Sequence, residues 1–354
     1  MFRRRFGRLA VAGGVVLTAA AAAVAIRHMS STAQGGHYER TVSAMGTFVT
    51  VSAYAADERS AGEAIDAAIN TVTRIERLIS HFDSESDVSR INRAAAGTPV
   101  KASPETIECL ARSAEISKRT QGAFDCTVGP LVALWKAAGK SGVGPSDEEI
   151  EAARERVSHA SLVIDAANST VTVARAGIAV DLSSAGKGYI VHRAAETMRG
   201  MAVTSGFVDG GGDMEFIGRN ANGSPWRVGI QDPRDETKIA TTLYVADRGV
   251  VTSGDYHQFE TLGGKRYSHI IDARTGRPAT GPASVTVVAR DAAAAAGWPT
   301  ALSILGRDGA KAAEEAGVEY LMYFVEGDKL AAFESPGMAK YEKDYHPARG
   351  ADGK

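Results

Sequence analysis

The sequence predicts a single α+β domain in which mixed, largely antiparallel sheets are flanked by helices. Three observations predict it. Apolar residues recur at helical spacing in some segments and alternate at strand spacing in others. The two kinds of segment lack the regular strand–helix alternation that a parallel sheet demands. No internal repeat and no clear linker divides the 354 residues, of which 44% are hydrophobic and 23% charged. That composition is ordinary for a folded protein, and the length suffices for one large domain. The 38 glycines are scattered, which points to many turns rather than to low complexity.

Residues 39–54 alternate and read as a strand that contains Met45-Gly46-Thr47. Residues 58–80 place Ala61, Ile65, Ala68, Val72, Ile75 and Ile79 at helical spacing. Pro104 suits the first turn of a second helix, which runs to about Lys118. Residues 161–182 read as two strands around a turn at Asn168-Ser169, and 185–200 as a helix ending at Gly200. Short strand-like runs follow near 206–209, 213–218, 226–232, 241–253, 266–272 and 283–290. Helices cover roughly 299–306 and the stretch to 316, and a strand pair over 319–333 closes the domain.

The ends differ from the body. Arg3-Arg4-Arg5-Phe6 opens a basic segment, and Leu9 to Ile26 is an uncharged, Ala-rich apolar run. Ala23-Val24-Ala25 and Ser31-Thr32-Ala33 both offer small-residue cleavage sites. Residues 1–33 therefore read as an export signal, and the Arg-Arg-x-Phe start predicts the twin-arginine route into the periplasm. A general secretory signal or an uncleaved membrane anchor is the alternative. No cysteine lies near the cleavage region, which argues against a lipoprotein. The domain then spans 34–335, and 336–354 is a polar tail.

The formal charge is −2, and removal of residues 1–33 takes away five Arg and no acid, leaving −7. The chain offers no basic face, which excludes DNA and other nucleic acids as expected partners. Cys109 and Cys126 are the only cysteines. They could form one disulfide in an oxidising compartment or remain two buried thiols.

Five segments carry candidate chemistry. In Val180-Asp181-Leu182-Ser183-Ser184-Ala185-Gly186-Lys187-Gly188, a carboxylate ends a strand and a Lys follows at a helix start. Small residues there let backbone approach a ligand, and a helix N-terminus with Lys187 suits a phosphate. A plain strand–helix turn with a solvated Lys is the simpler reading. Asp209-Gly210-Gly211-Gly212-Asp213 implies positive φ or close contact with a ligand, with a tight turn as the default. Gly122-Ala123-Phe124-Asp125-Cys126-Thr127-Val128-Gly129-Pro130-Leu131 puts an acid beside an aromatic on an irregular stretch. Phe82, at the end of an apolar helix, is either core or a stacking platform for a planar ligand. Finally, His269-Ile270-Ile271-Asp272 sets a histidine and an aspartate around buried apolar residues, followed by turn residues to Pro278. Thr252-Ser253-Gly254-Asp255-Tyr256 precedes it.

In this order the segments resemble the periplasmic FAD:protein FMN transferases, the ApbE-type flavin transferases. The resemblance covers about residues 40–310. It rests on Met-Gly-Thr, Phe-Asp-x-Thr-Val-Gly-Pro-Leu, Asp-Leu-(x)4-Lys-Gly, Gly-Gly-Asp, Ser-Gly-Asp-Tyr and His-Ile-Ile-Asp-x-x-Thr-Gly. Each motif is weak alone, but the ordered set is specific. The resemblance implies that FAD is cleaved at its pyrophosphate, that FMN is joined to a Thr or Ser hydroxyl of an acceptor protein, and that AMP leaves. It implies Mg²⁺ as the assisting ion, and an acceptor with an exported FMN-binding domain. A membrane-associated respiratory partner, as in nitrous-oxide respiration, would fit.

The resemblance also implies roles. His269 would be the general base. Met45 and Phe82 would flank the isoalloxazine; many relatives have Tyr at the position of Phe82. Ala123, Phe124 and Asp125 would contact the nucleotide through backbone and carboxylate, Asp181 would hydrogen-bond the FAD, Lys187 would meet the phosphates and Ile271 would contact the nucleotide. The metal would be held by the Ser184 carbonyl and by Thr300. One departure stands out: the relatives' metal-binding Asp, four residues before that Thr, is Ala296 here, and Gly297 and Pro299 disturb the turn between. Asp291 or Asp255 could replace the missing carboxylate, or Mg²⁺ binds more weakly through the remaining ligands. Otherwise the chain binds FAD without transferring FMN, as an accessory flavoprotein. FAD pyrophosphatase activity is a third possibility, because water could enter an open site.

Overall fold

The computed structural model describes residues 26–32, 35–254, 259–262, 265–327 and 329–342. Most of the expected export signal, Asp255 and Tyr256, and the end of the polar tail lie outside the described residues. The expected α+β class is what the described residues form. A nine-stranded sheet runs, in spatial order, through Ile26–Thr32, Gly35–Ala44, Thr47–Ala55, Gly206–Asp209, Asp213–Ile217, Gly249–Gly254, Ser284–Ala289, Glu319–Glu326 and Lys329–Glu334. Every neighbouring pair is antiparallel. The edge strand Ile26–Thr32 lies within the segment read as export signal.

The sheet is covered on both faces, so its central strands bury side chains on each. Side chains alternate between faces at the strand period. Val251, Val285, Val287 and Met322 join the main core, with the helices Glu58–Ile79, Pro104–Arg119 and Ser183–Gly200. Val250, Val288, Leu321 and Tyr323 face the other way, under the hairpin of Trp226–Asp232 and Asp235–Val245. A third cluster packs the helices Gly129–Ser141 and Asp147–Arg154 around Leu131, Trp135 and Ile150, with Ile271 inserted among them.

The structure corrects several element expectations. The predicted strand 39–54 is a hairpin: Gly35–Ala44 and Thr47–Ala55 meet at a two-residue turn, Met45-Gly46. Both turn residues have positive φ, 54° and 68°, the backbone twist that favours two-residue hairpins. Alternating apolar residues fit one long strand or two paired ones equally well, so periodicity could not show the break. The run 241–253 likewise divides, into Asp235–Val245 and Gly249–Gly254. The helices Asp87–Arg93, Gly129–Ser141 and Asp147–Arg154 were not expected at all.

One buried charge holds three elements together. Glu215, 0% exposed, accepts from His192 Nδ1 at 3.0 Å, from Arg199 Nη1 and from the Ala292 amide at 2.9 Å. It thereby ties the Ser183–Gly200 helix to the start of Ala292–Ala295. Burial alone would disfavour the His192 imidazolium. The hydrogen bond and charge of Glu215 outweigh this, helped by Asp291 and Glu196, so the His192 pKa is raised. A raised folded-state pKa gives stability that is full below the unfolded value near 6.5 and is lost as pH rises through the folded value. Thermal stability is therefore expected to fall as pH climbs above about 6.5, and His192→Gln to flatten that slope in melts across the range.

Candidate active site

The long helix Glu58–Ile79 is capped by Asp57, whose carboxylate accepts from the Ser60 amide at 2.9 Å. Its apolar stripe is spent by Ile79, and the Ser80 amide closes the last turn on the Glu76 carbonyl. The chain then turns, and Phe82 projects outward, 80% exposed. The ring is therefore not core. His81 lies against it, with ring centroids 3.9 Å apart, and Lys136 Nζ stands 5.7 Å from its centroid. An exposed aromatic face beside a cation is what a planar ligand can stack on.

The Met45-Gly46 turn is tied to the same long helix. The Met45 amide donates to Glu76 Oε1 at 2.7 Å, which fixes the turn against the end of the long helix. The triple glycine packs on the same turn. A Cβ at Gly211 would come 2.4 Å from Thr47 Oγ1, and one at Gly210 would come 3.0 Å from Met45 Cε. Gly211 and Gly212 also have φ of 73° and 99°. These glycines therefore serve both readings made of them: they form a tight hairpin turn and a close approach, here to the protein's own Met45 turn.

The loop Gly122–Thr127 runs alongside residues 179–181. The Asp181 amide donates to the Cys126 carbonyl at 2.8 Å, and Asn92 clamps both backbone groups of Val180. Asp181 Oδ1 accepts from the Ser183 amide at 2.8 Å and lies 3.6 Å from His81 Nδ1. His81 thus links the Phe82 platform to Asp181. The N-cap residue Leu182 gives the helix that starts at Ser183 no side-chain cap; Asp181 takes the Ser183 amide, and the Leu182 carbonyl takes the amides of Ala185 and Gly186. Lys187 lies in that helix, within the field of Asp213. Asp213 is 7% exposed. Burial pushes its carboxyl up to about 7; Lys187 opposes this and Asp209 adds to it. Burial raises Asp209 as well.

Asp125 Oδ1 accepts from the Thr127 amide and hydroxyl, at 2.8 and 2.6 Å, and Oδ2 accepts from the His159 amide and Nδ1, at 2.9 and 2.7 Å. Four donors fill a carboxylate's acceptor sites. The Asp125 carboxylate thereby holds Thr127 and His159 together. Ala123 and Phe124 are buried, and Ala123 offers its carbonyl to the Ala273 amide at 3.2 Å. The Ile271 side chain is buried among Leu131, Trp135 and Ile150, so only its backbone can face a ligand.

His269 is exposed, immediately before the buried pair Ile270 and Ile271. The turn that follows is clamped as expected: Ile271–Asp272 pairs with Arg277–Pro278, and Asp272 accepts from the Arg274 amide at 2.9 Å. The Trp135 indole donates to the Gly276 carbonyl at 2.8 Å. The Tyr267 ring packs on Trp135, centroids 5.6 Å apart.

A model of the ApbE family matches residues 45–322. The chain belongs to the ApbE family. It is 34% identical to an FAD:protein FMN transferase of Klebsiella pneumoniae over 306 residues, covering 82% of this chain and 85% of that one. It is 32% identical to the Escherichia coli K12 protein of the same description, at the same coverage. An ApbE crystal structure from Thermotoga maritima superposes with a TM-score of 0.77 at 31% identity, covering 87% of this chain and all of that one. The apo flavinyl transferase ApbE of Pseudomonas stutzeri gives 0.74 at 28% identity, covering 88% of this chain and all of that one.

Within this ApbE-family chain the predicted metal ligands sit apart from any carboxylate cluster. Among the described residues no group of three or more His, Cys, Asp or Glu could hold a metal. Ala296 ends the short helix Ala292–Ala295, is 2% exposed, and its Cβ would meet a Cβ at Gly188 at 2.8 Å. Gly297 then adopts φ 81°, and a new helix starts at Trp298, with Pro299 in its first turn. The late helix start expected from Pro299 is thus present. Asp291 does not replace the lost ligand: its Oδ1 caps the Ala294 amide at 2.6 Å and its Oδ2 accepts from Arg290. Asp255 lies outside the described residues.

The residues that sequence reasoning missed are Glu76, His81, Lys136 and His159. His81 adjoins Phe82, and the other three sit on helices or turns where spacing alone gives no signal. Cys109 and Cys126 are both free and buried; burial pushes the Cys109 thiol up to about 12 and raises Cys126 as well.

Proposed function

We propose that this protein moves FMN from FAD to a Thr or Ser hydroxyl of an acceptor protein and releases AMP. What supports the reading is the conjunction, in a chain similar to FAD:protein FMN transferases, of an exposed His269 at a clamped strand end, an exposed Phe82 ring and a helix start that carries Lys187. The isoalloxazine stacks on Phe82 under Met45. The pyrophosphate meets the Ser183 helix start and Lys187. Neutral His269 takes the proton of the acceptor hydroxyl. The hydroxyl oxygen bonds to the FMN phosphorus as the bridging P–O bond breaks, and the bridging oxygen leaves on AMP. Positioning and charge neutralisation carry most of such a phosphoryl transfer.

Mg²⁺ would offset pyrophosphate charge. The protein offers it the Ser184 carbonyl and the Thr300 hydroxyl, which do not make a site on their own, because a hard cation takes about six oxygen ligands. The remaining ligands would come from FAD phosphates and water. Ala296→Asp buries a carboxylate against Gly188. It is expected to lower Tm without metal and to recover part of the loss in millimolar Mg²⁺. A melt unaffected by Mg²⁺ would show that the added carboxylate does not face the ion.

The acceptor would carry an exported FMN-binding domain, with a membrane-associated respiratory protein as the fitting kind, and the reaction would take place in the periplasm after twin-arginine export. No helix among the described residues is long and apolar enough to cross a membrane. The missing carboxylate at Ala296 favours one second reading, a flavin carrier that holds FAD without transfer. AMP release that requires the acceptor supports the transferase; AMP release without it indicates a pyrophosphatase; bound FAD with no AMP supports the carrier.

A further inference from the structure

We propose that Glu76 is a positioning residue for the flavin ring, acting through the Met45 turn. The inference rests on the reading that Met45 covers the isoalloxazine. Two-residue turns of this twist favour Asn-Gly or Asp-Gly, because both residues need positive φ. Here the first place is taken by methionine at φ 54°. A non-glycine residue there is strained and persists only where its surroundings over-determine it. Local preference gives way in this manner at functional positions.

Three contacts over-determine this turn. The Met45 amide, which lies outside the hairpin ladder that closes at Ala44 and Thr47, is taken by Glu76 Oε1 at 2.7 Å. Behind the turn, Gly210 and Gly211 leave room for Met45 Cε and Thr47 Oγ1 that no larger residue would leave. Glu76 itself is fixed one turn before the helix end, from which Ser80 leads to His81 and Phe82. One carboxylate thus ties the Met45 turn to the last turn of the helix that leads to Phe82. The phosphate side of the cleft, at Ser183 and Lys187, lies on another helix, which packs on the end of the Glu76 helix through Gly186 and Ile79, whereas the Glu76 carboxylate itself bonds the Met45 amide.

Losing Glu76 should therefore weaken what binds through the flavin and spare what binds through the phosphates. The test measures FAD affinity by flavin fluorescence and ADP affinity by calorimetry on the same variants. Glu76→Ala is expected to weaken FAD about tenfold, the size of one charge-assisted hydrogen bond, with ADP unchanged. Glu76→Gln keeps an acceptor oxygen and should stay within about threefold of the parent for FAD. Equal loss of FAD and ADP affinity, or no loss of either, overturns the proposal. Met45→Ala separates it from its premise. If that variant leaves FAD affinity unchanged, the flavin reading of Met45 fails. If it weakens FAD while Glu76→Ala does not, the positioning role of Glu76 fails. Should Glu76→Ala not fold, Glu76→Gln paired with Glu76→Lys, which reverses the charge and removes the acceptor, provides the same comparison.

Discussion

His269→Ala is expected to cut FMN transfer about 10²- to 10⁴-fold, the usual contribution of a positioned general base. FAD affinity should stay within about threefold, because the ring is exposed and the nucleotide's main contacts lie elsewhere. The fold should not suffer either. Ile270 and Ile271 bury the strand end, and the turn behind them is held by Asp272, Arg274 and the Trp135 indole, none of which involves the imidazole. Transfer is read as AMP release in the presence of acceptor, and binding by flavin fluorescence. If FAD binding is lost together with transfer, His269 is a structural residue and the base lies elsewhere.

The second large effect is at Phe82. Stacking of a base-like ring on an aromatic side chain is worth about 1–3 kcal/mol by alanine substitution. Phe82→Ala should therefore weaken FAD by about one to two orders of magnitude. Because the ring is exposed, Tm should hardly move, which separates a lost ligand contact from a damaged core. Phe82→Tyr should bind like the parent, since it keeps the stacking face and adds only a hydroxyl. ADP, which has no flavin, should bind all three forms alike. A fall in Tm with unchanged FAD affinity would mean that the ring packs on its own protein and not on flavin.

The sequence carried the helices Glu58–Ile79 and Pro104–Arg119 almost to the residue, because each buries one apolar face and begins at a clear cap. It could not show the Met45-Gly46 turn, since a methionine at positive φ is the opposite of a turn signal. The helix Asp147–Arg154 was legible in principle: Ser146 and Glu149 form a capping box, and Gly142 ends the helix before it at φ 73°. It was passed over because its neighbourhood read as irregular motif rather than as periodic structure. The same limit applies at the site. Motif order nominated His269, Asp181 and Lys187, but only coordinates show that the Asp125 carboxylate is engaged by Thr127 and His159, or that the Ile271 side chain is buried among Leu131, Trp135 and Ile150. Spacing tells which residues share a face. It does not tell which of a carboxylate's oxygens are already taken.

The absence of a carboxylate at Ala296 is a matter of local architecture as well as of a single residue. Ala296 is packed on Gly188, Gly297 breaks the helix, and Pro299 starts the next one. This local architecture is what a transferase mechanism must accommodate.

The most direct test of that mechanism is the mass of an acceptor. The protein is incubated with FAD, Mg²⁺ and an FMN-binding acceptor domain that carries its target Thr, and the intact mass of the acceptor is read. A gain of one FMN, absent when His269→Ala replaces the parent, is the predicted result. An unchanged acceptor, with FAD still bound to this protein, would contradict transfer and leave a flavin carrier in its place.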